Sequence, residues 1–284
     1  MSIGSRLFRK VTIIGVGLIG GSLGKAIKKQ GLAKEVVGLS QKQTTIATAM
    51  KMGAIDYGDH DMAKAVHNAD LVVLATPVSI ITGTLAMIGP YLKRGCIVTD
   101  VGSSKVSIVR TAQQFLPNYV PFVGSHPLAG SEKRGIQFAD ERLFEGALCI
   151  MTPADQGNRS VTHRIKTLWT RVGCQVKFLS PEDHDRIIAY ISHLPHVLAF
   201  ALMNVIPVEL LEYSAQGLKD STRIASSSPQ MWSDICLGNA DNVVRVLDEL
   251  VKNLAGIRRA IVTNEAKILL DEFQKAKDKR DKIG

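Results

Sequence analysis

The feature that most constrains this chain is a junction near its start, where the run Val11-Thr12-Ile13-Ile14 passes directly into Gly15-Val16-Gly17-Leu18-Ile19-Gly20-Gly21-Ser22. In a GxGxxG at a strand-to-helix junction each glycine has its own task. The first permits the tight turn, the second lets backbone approach a pyrophosphate, and the third lets the helix pack closely on the strand. The helix N-terminus meanwhile presents its free N–H groups to phosphate. The motif therefore predicts a βαβ unit that binds a dinucleotide, with Gly15, Gly17, Leu18, Ile19 and Gly20 as cofactor contacts. About twenty residues further on, a site for NAD usually carries an acidic residue on the ribose 2′-hydroxyl. Here Ser40 stands at that point, followed by Gln41 and Lys42. A hydroxyl, an amide and a cation suit a 2′-phosphate, so the cofactor is NAD(P) with NADP slightly favoured. The alternative is that Ser40 only caps the next helix and both cofactors are accepted.

Seven short apolar or β-branched runs alternate with helical stretches up to residue 180: 10–14, 35–39, 71–76, 96–100, 121–125, 147–152 and 174–179. Continuous apolar strands interleaved with helices predict an α/β fold, a doubly wound Rossmann-type parallel sheet with both faces covered. After Ser180-Pro181 the β-rich runs stop, and 183–206, 207–219, 229–237 and 239–280 read as helices. The expected organisation is a dinucleotide-binding domain over 1–180 and an all-helical dimerisation and substrate domain over 181–284. The segment 187–206 is apolar nearly all round, which predicts burial against a second copy of the chain and hence a homodimer. It approaches the length of a membrane span, but Ser192, His193, Pro195, His196 and Asn204 make it a helix buried in protein, so no membrane partner is expected.

Of the 284 residues 45% are hydrophobic and 21% charged, which excludes disordered and fibrous classes. The net charge of +9 favours anionic partners without naming one. Its basic residues are dispersed and aromatics are only 5%, which speaks against nucleic acid. Cys96, Cys149, Cys174 and Cys236 form no CxxC or metal-spaced cluster and read as reduced thiols of a cytoplasmic protein. No export signal is expected at the N-terminus.

A nicotinamide enzyme needs a base for the substrate hydroxyl, in a loop at the carboxyl edge of the sheet. His126, in Gly124-Ser125-His126-Pro127-Leu128-Ala129-Gly130-Ser131-Glu132, answers that description. Ser103, in Asp100-Val101-Gly102-Ser103, follows another strand, and Thr76-Pro77 follows a third, where it would border the cofactor's ribose and nicotinamide. Capping is the plain alternative for Ser103. Among the helices, His184, His193 and His196 stand out. The last two share a face, but without a third ligand at metal spacing no metal is expected. Arg223, in Gly217-Leu218-Lys219-Asp220-Ser221-Thr222-Arg223-Ile224-Ala225, offers a guanidinium fork for a carboxylate.

Together, the glycine turn, Asp100-Val101-Gly102-Ser103, His126 to Glu132, Ser192-His193-Leu194-Pro195-His196, Lys219 to Ala225 and Pro229-Gln230-Met231-Trp232 resemble the prephenate/arogenate dehydrogenase family of tyrosine biosynthesis, over almost the whole chain. The resemblance implies an oxidative decarboxylation of a cyclohexadiene that carries a ring hydroxyl and, across from it, a ring carboxylate. It implies that His126 accepts the hydroxyl proton, that Ser103 hydrogen-bonds the same hydroxyl and His126, and that Arg223 binds the ring carboxylate. His196 would line the pocket near the substrate's side chain, and Ser131, Glu132 and Asp220 would shape its polar rim. Trp232 would come from the dimer interface, and His193 would support the buried helix. Ser40 departs from the family's acidic reader. Gln216 stands where many members have a small residue, so its amide is a candidate selector between prephenate and arogenate. No regulatory domain of the ACT type is expected after the helical region. Two other readings stay open: a β-hydroxyacid or imine reductase-like dehydrogenase, and a non-catalytic NAD(P)-sensing module.

Overall fold

The computed structural model describes residues 6–130, 133–153 and 159–283. One eight-stranded sheet is built from β1 (Phe8–Ile14), β2 (Ala33–Leu39), β3 (Tyr57–Asp59), β4 (Leu71–Leu74), β5 (Ile97–Asp100), β6 (Phe122–Pro127), β7 (Leu148–Pro153) and β8 (Gln175–Phe178). Its order is β3-β2-β1-β4-β5-β6-β7-β8. The helices α1 (Leu18–Lys29), α2 (Gln43–Lys51), α3 (Met62–Val66), α4 (Val78–Ile88), α5 (Val106–Phe115) and α6 (Arg159–Arg171) cover its faces. The central strand β4 is apolar and buried throughout because each face of the sheet has its own core. Leu71 and Val73 of β4 join Ile13, Leu23 and Trp169 on one side, while Val72 and Leu74 join Ile81, Leu85 and Ile108 on the other. The chain reverses its winding between β1 and β4, and the crevice outside the carboxyl ends of strands at such a switch point is where ligands bind in sheets of this kind.

Two features depart from the expected parallel sheet. The strand β3 is an eighth, short edge strand with no run of β-branched residues to announce it. Moreover β6 and β7 pair antiparallel, in the register His126 with Ile150, so β7 and β8 run against the other six. Parallel neighbours need a crossover, usually helical. The described part of the β6–β7 connection holds only a 3-10 turn, Ile136–Phe138. As a consequence His126 lies within strand β6 instead of in a loop after it.

Beyond the sheet come α7 (Pro181–Ile188), a π-helical turn (Ala189–His193), α8 (Leu194–Val205), α9 (Gln216–Thr222) and α10 (Pro229–Gly238). Helix α7 starts where its sequence dictates: Ser180 caps it by accepting from the Asp183 N–H, Pro181 occupies the first turn, and Glu182 and Asp183 complement the helix dipole. The expected helix over 183–206 is thus one run with a widened turn inside it. Pro195 has no N–H, and its ring crowds the carbonyl four residues back, which the π turn accommodates. The run Pro181–Val205 is long and apolar enough to cross a membrane by length and composition alone. It is also where His184, Asp185 and His193 are buried, all three hydrogen-bonded within the protein. The expected helix over 207–219 is instead a 3-10 turn, Val208–Tyr213, followed by α9.

The chain divides into two compact units, Met1–Asn239 and Ala240–Gly284. The second consists of α11 (Ala240–Val262) and α12 (Ala266–Arg280). The single helix expected over 239–280 breaks between them, where Asn264 takes a left-handed φ of 56°.

Candidate active site

A cleft of about 690 Å³ opens at the carboxyl edge of the sheet. On one side its wall is the glycine-rich turn. Gly15 has φ +98°, and a Cβ there would meet the Ala75 carbonyl oxygen at 2.6 Å, so only glycine fits between β1 and β4. At Gly17 a Cβ would meet nothing within 4 Å, which leaves open space in front of the turn. Helix α1 begins there with no side-chain cap and no acidic residue in its first turn. Leu18, Ile19, Thr76 and Pro77 line the cleft, and the hydroxyl of Thr76 is buried without a hydrogen-bond partner. Uncapped N–H groups, open space at the second glycine and an orphaned hydroxyl are the fit that a dinucleotide requires.

Ser40, Gln41 and Lys42 follow β2 outside the cleft wall. The Ser40 hydroxyl accepts from the Lys42 N–H at 3.3 Å, a local turn that leaves Lys42 exposed. His60, which no sequence pattern singled out, packs onto this turn with Nδ1 2.7 Å from the Ser40 carbonyl oxygen and Nε2 against the Gln43 side-chain oxygen.

The opposite wall carries the polar groups. His126 and Ser103 line the cleft together, although they lie on different strand ends. What joins them is Asp100 at the end of β5, completely buried. One carboxylate oxygen accepts from the Ser125 N–H at 3.1 Å, the other from the Gly102 N–H at 2.8 Å and from the Lys105 ammonium. A single carboxylate therefore ties the residue before His126 to the residue before Ser103. Lys105 is also fully buried, so this is an internal ion pair whose carboxylate is further held by two backbone N–H groups.

Behind His126 runs a chain of hydrogen bonds: His126 Nδ1 lies 2.9 Å from His184 Nε2, and His184 Nδ1 lies 2.7 Å from Asp185 Oδ1. Asp185 accepts in addition from the backbone N–H groups of Lys105 at 2.7 Å and Val106 at 2.9 Å, at the start of α5. Burial holds the pKa of His126 well below 6.5, and His184, Lys105 and His193 add to that. Burial likewise lowers His184, against the pull of Asp185.

His196, Arg223 and Trp232 complete the wall. His196 stacks on Trp232 at 3.7 Å, and its Nδ1 lies 2.8 Å from the Ser192 carbonyl, which can only accept. Nδ1 is therefore the protonated nitrogen, and Nε2 is the ring's remaining polar atom. Burial, and Arg223 nearby, lower its pKa. Trp232 lines the cleft of its own chain, packed among helices of the same unit. Gln216 and Asp220 bond to each other at 2.8 Å on exposed turns of α9 and are not part of the cleft wall. Ser131 and Glu132 lie outside the described residues. The described residues contain no group of three His, Cys, Asp or Glu positioned for a metal.

Both walls are legible in the sequence, but what stiffens them is not. His184 stands out there without a role, Asp100 only opens the motif that carries Ser103, and Asp185 and Lys105 have no local signal. Their partners lie up to 80 residues away, and no local periodicity reports such contacts.

Two family models match the chain: "Prephenate dehydrogenase, nucleotide-binding domain" over residues 23–178 and "Prephenate dehydrogenase, dimerization domain" over 180–275. The prephenate dehydrogenase of Bacillus subtilis is 37% identical over 95% of this chain and 75% of its own length. The cyclohexadienyl dehydrogenase of Zymomonas mobilis is 35% identical over 96% of both chains. The crystal structure of prephenate dehydrogenase from Aquifex aeolicus in complex with hydroxyphenyl propionate and NAD+ superimposes with a TM-score of 0.90. It is 33% identical to this chain, over 97% of this chain and 98% of its own.

Proposed function

The chain belongs to the prephenate dehydrogenase family, and from that membership we propose how its own residues carry out the oxidative decarboxylation of prephenate, arogenate or both in tyrosine biosynthesis. The observation that carries the proposal is the shared cleft, in which His126, Ser103, His196 and Arg223 face the glycine-rich turn. Ser103 holds the ring hydroxyl, and His126 accepts its proton through Nε2. Bound NAD(P) supplies the hydride acceptor at nicotinamide C4. The dienone left behind is a vinylogous β-keto acid. Carbon dioxide leaves, its bonding electrons enter the ring, and the carbonyl oxygen becomes a phenolate that takes the proton back from His126. No net proton is lost, so an enclosed base suffices, and the protein supplies orientation and one reversible proton transfer.

Arg223 pairs with the ring carboxylate, where a planar guanidinium suits a planar anion. His196, with Trp232 behind it, meets the substrate's side chain through Nε2. Ser131, Glu132, Asp220 and Gln216 are assigned to the rim around that side chain on the family resemblance alone. Gly15, Gly17, Leu18, Ile19, Gly20, Thr76 and Pro77 hold the dinucleotide. Ser40, Gln41 and Lys42 hold its adenosine end, and the absence of a carboxylate side chain among those three supports NADP over NAD. The functional division is between 1–180 and 181–284, supported by family models that meet between residues 178 and 180. The enzyme is a homodimer through the helical part, a reading supported by the matched dimerization model and by exposed apolar side chains such as Val205, Val208 and Tyr213. Four free cysteines support a cytoplasmic location.

The test is to supply prephenate or arogenate with NAD or NADP in all four combinations and follow the reduced nicotinamide by absorbance. Turnover in at least one is expected, and His126→Asn should lower it about 10²–10⁴-fold with cofactor binding intact. Silence in all four would refute the activity, and an undiminished His126→Asn would refute the base.

A further inference from the structure

The direction of the hydrogen bonds behind His126 is forced from the far end. A carboxylate can only accept, so the 2.7 Å contact makes His184 Nδ1 the donor to Asp185. A neutral His184 then carries a bare Nε2, and the 2.9 Å contact makes His126 Nδ1 the donor to it. A neutral His126 is left with its lone pair on Nε2, the nitrogen available to the cleft. We propose that His184, oriented by Asp185, is a positioning residue that fixes the tautomer and the ring plane of His126 so that Nε2 accepts the substrate's proton. This inference rests on the reading of His126 as the base.

The anchor is stiff for identifiable reasons. Asp185 is buried and fixed by the two N–H groups that open α5, and its backbone carbonyl accepts from the Asn239 amide at 2.8 Å. His184 is completely buried, with its ring 5.1 Å from that of His126 and tilted by 60°. When His126 gains the substrate's proton, Nδ1–H stays bonded to His184 and the bond becomes charge-assisted, which lowers the cost of the imidazolium in a site where Lys105 opposes it. Nothing else described bonds to His126 Nδ1. Without His184 the ring is free to take the other tautomer, in which the nitrogen facing the substrate carries a hydrogen and cannot act as a base. In a serine protease triad the same error costs about four orders of magnitude in turnover.

The experiment has two arms. In the first, ¹⁵N histidine labelling of the wild-type protein at pH 7.5, with the His126 signals assigned by their loss in His126→Asn, reads the tautomer without substrate or turnover. A protonated Nδ1 and bare Nε2 are expected, and the reverse would overturn the proposal. In the second, His184→Leu should lower kcat about 10²-fold or more with little change in KM. His184→Gln, whose side-chain oxygen can still accept from Nδ1, should restore most of it. A folded His184→Leu with wild-type kcat beside a disabled His126→Asn would overturn this inference alone, whereas a fully active His126→Asn would overturn the reading on which it rests. If His184→Leu fails to fold, the tautomer measured in the wild type decides.

Discussion

Lowering the pH should unfold this protein partly through a single residue outside the proton transfer. His193 is completely buried. Its Nδ1 accepts from the Asn239 amide at 3.3 Å, its ring stands edge-on to Trp232 with centroids 6.0 Å apart, and its Nε2 has no partner. Burial pulls its pKa from 6.5 down to about 4; Asp185 pulls it back up, while His184 and His196 push it further down. The unfolded chain therefore takes up a proton near pH 6.5 that the folded chain refuses, so the stability is complete above that pH and is lost as the pH falls towards 4. A gap of about 2.5 pH units corresponds to about 3 kcal/mol at 1.36 kcal/mol per unit, of which about 2 kcal/mol is gone by pH 5. His193→Phe keeps the edge-on ring contact and removes the titration. Urea unfolding of both proteins at pH 7.5 and pH 5, at one protein concentration, should show the wild type losing about 2 kcal/mol more than the variant. His126 and His184, whose pKa values are also depressed, titrate in both proteins and cancel in the difference. Equal losses would refute the reasoning.

Three other outcomes follow from the same geometry. Gly15→Ala should disrupt folding, because its φ of +98° and a backbone oxygen 2.6 Å from the new Cβ leave no room to adjust, whereas Gly17→Ala should melt within a few degrees of the wild type yet bind dinucleotide at least tenfold more weakly by titration calorimetry. Lys105→Met leaves the buried Asp100 without its cation and should cost about 3–5 kcal/mol in denaturant unfolding; a loss below about 1 kcal/mol would mean that the N–H groups of Gly102 and Ser125 suffice. Ser40→Asp should shift the ratio of kcat/KM towards NAD by tenfold or more, and an unmoved ratio would take Ser40 out of cofactor selection.

Much of this molecule is legible from local pattern. The glycine turn, seven of the eight strands and the switch to helices after Ser180 all follow from the spacing of glycines, β-branched runs and helical periodicity, because turn geometry and two-faced burial act over a few residues. The residue types for the chemistry were visible too, with His126, Ser103, His196 and Arg223 each read in turn and all found on one cleft. Tertiary structure alone decided the rest. The antiparallel return at β7 moved His126 from a loop onto a strand, where its neighbours hold it. A short edge strand had no pattern to betray it. Asp100 joined Ser125 to Gly102, and Asp185, in a helix 80 residues further along the chain than Lys105, capped α5 and aligned His184 behind His126. A buried carboxylate or imidazole gains its role from whichever distant N–H groups surround it, and that is settled only when separate elements pack together.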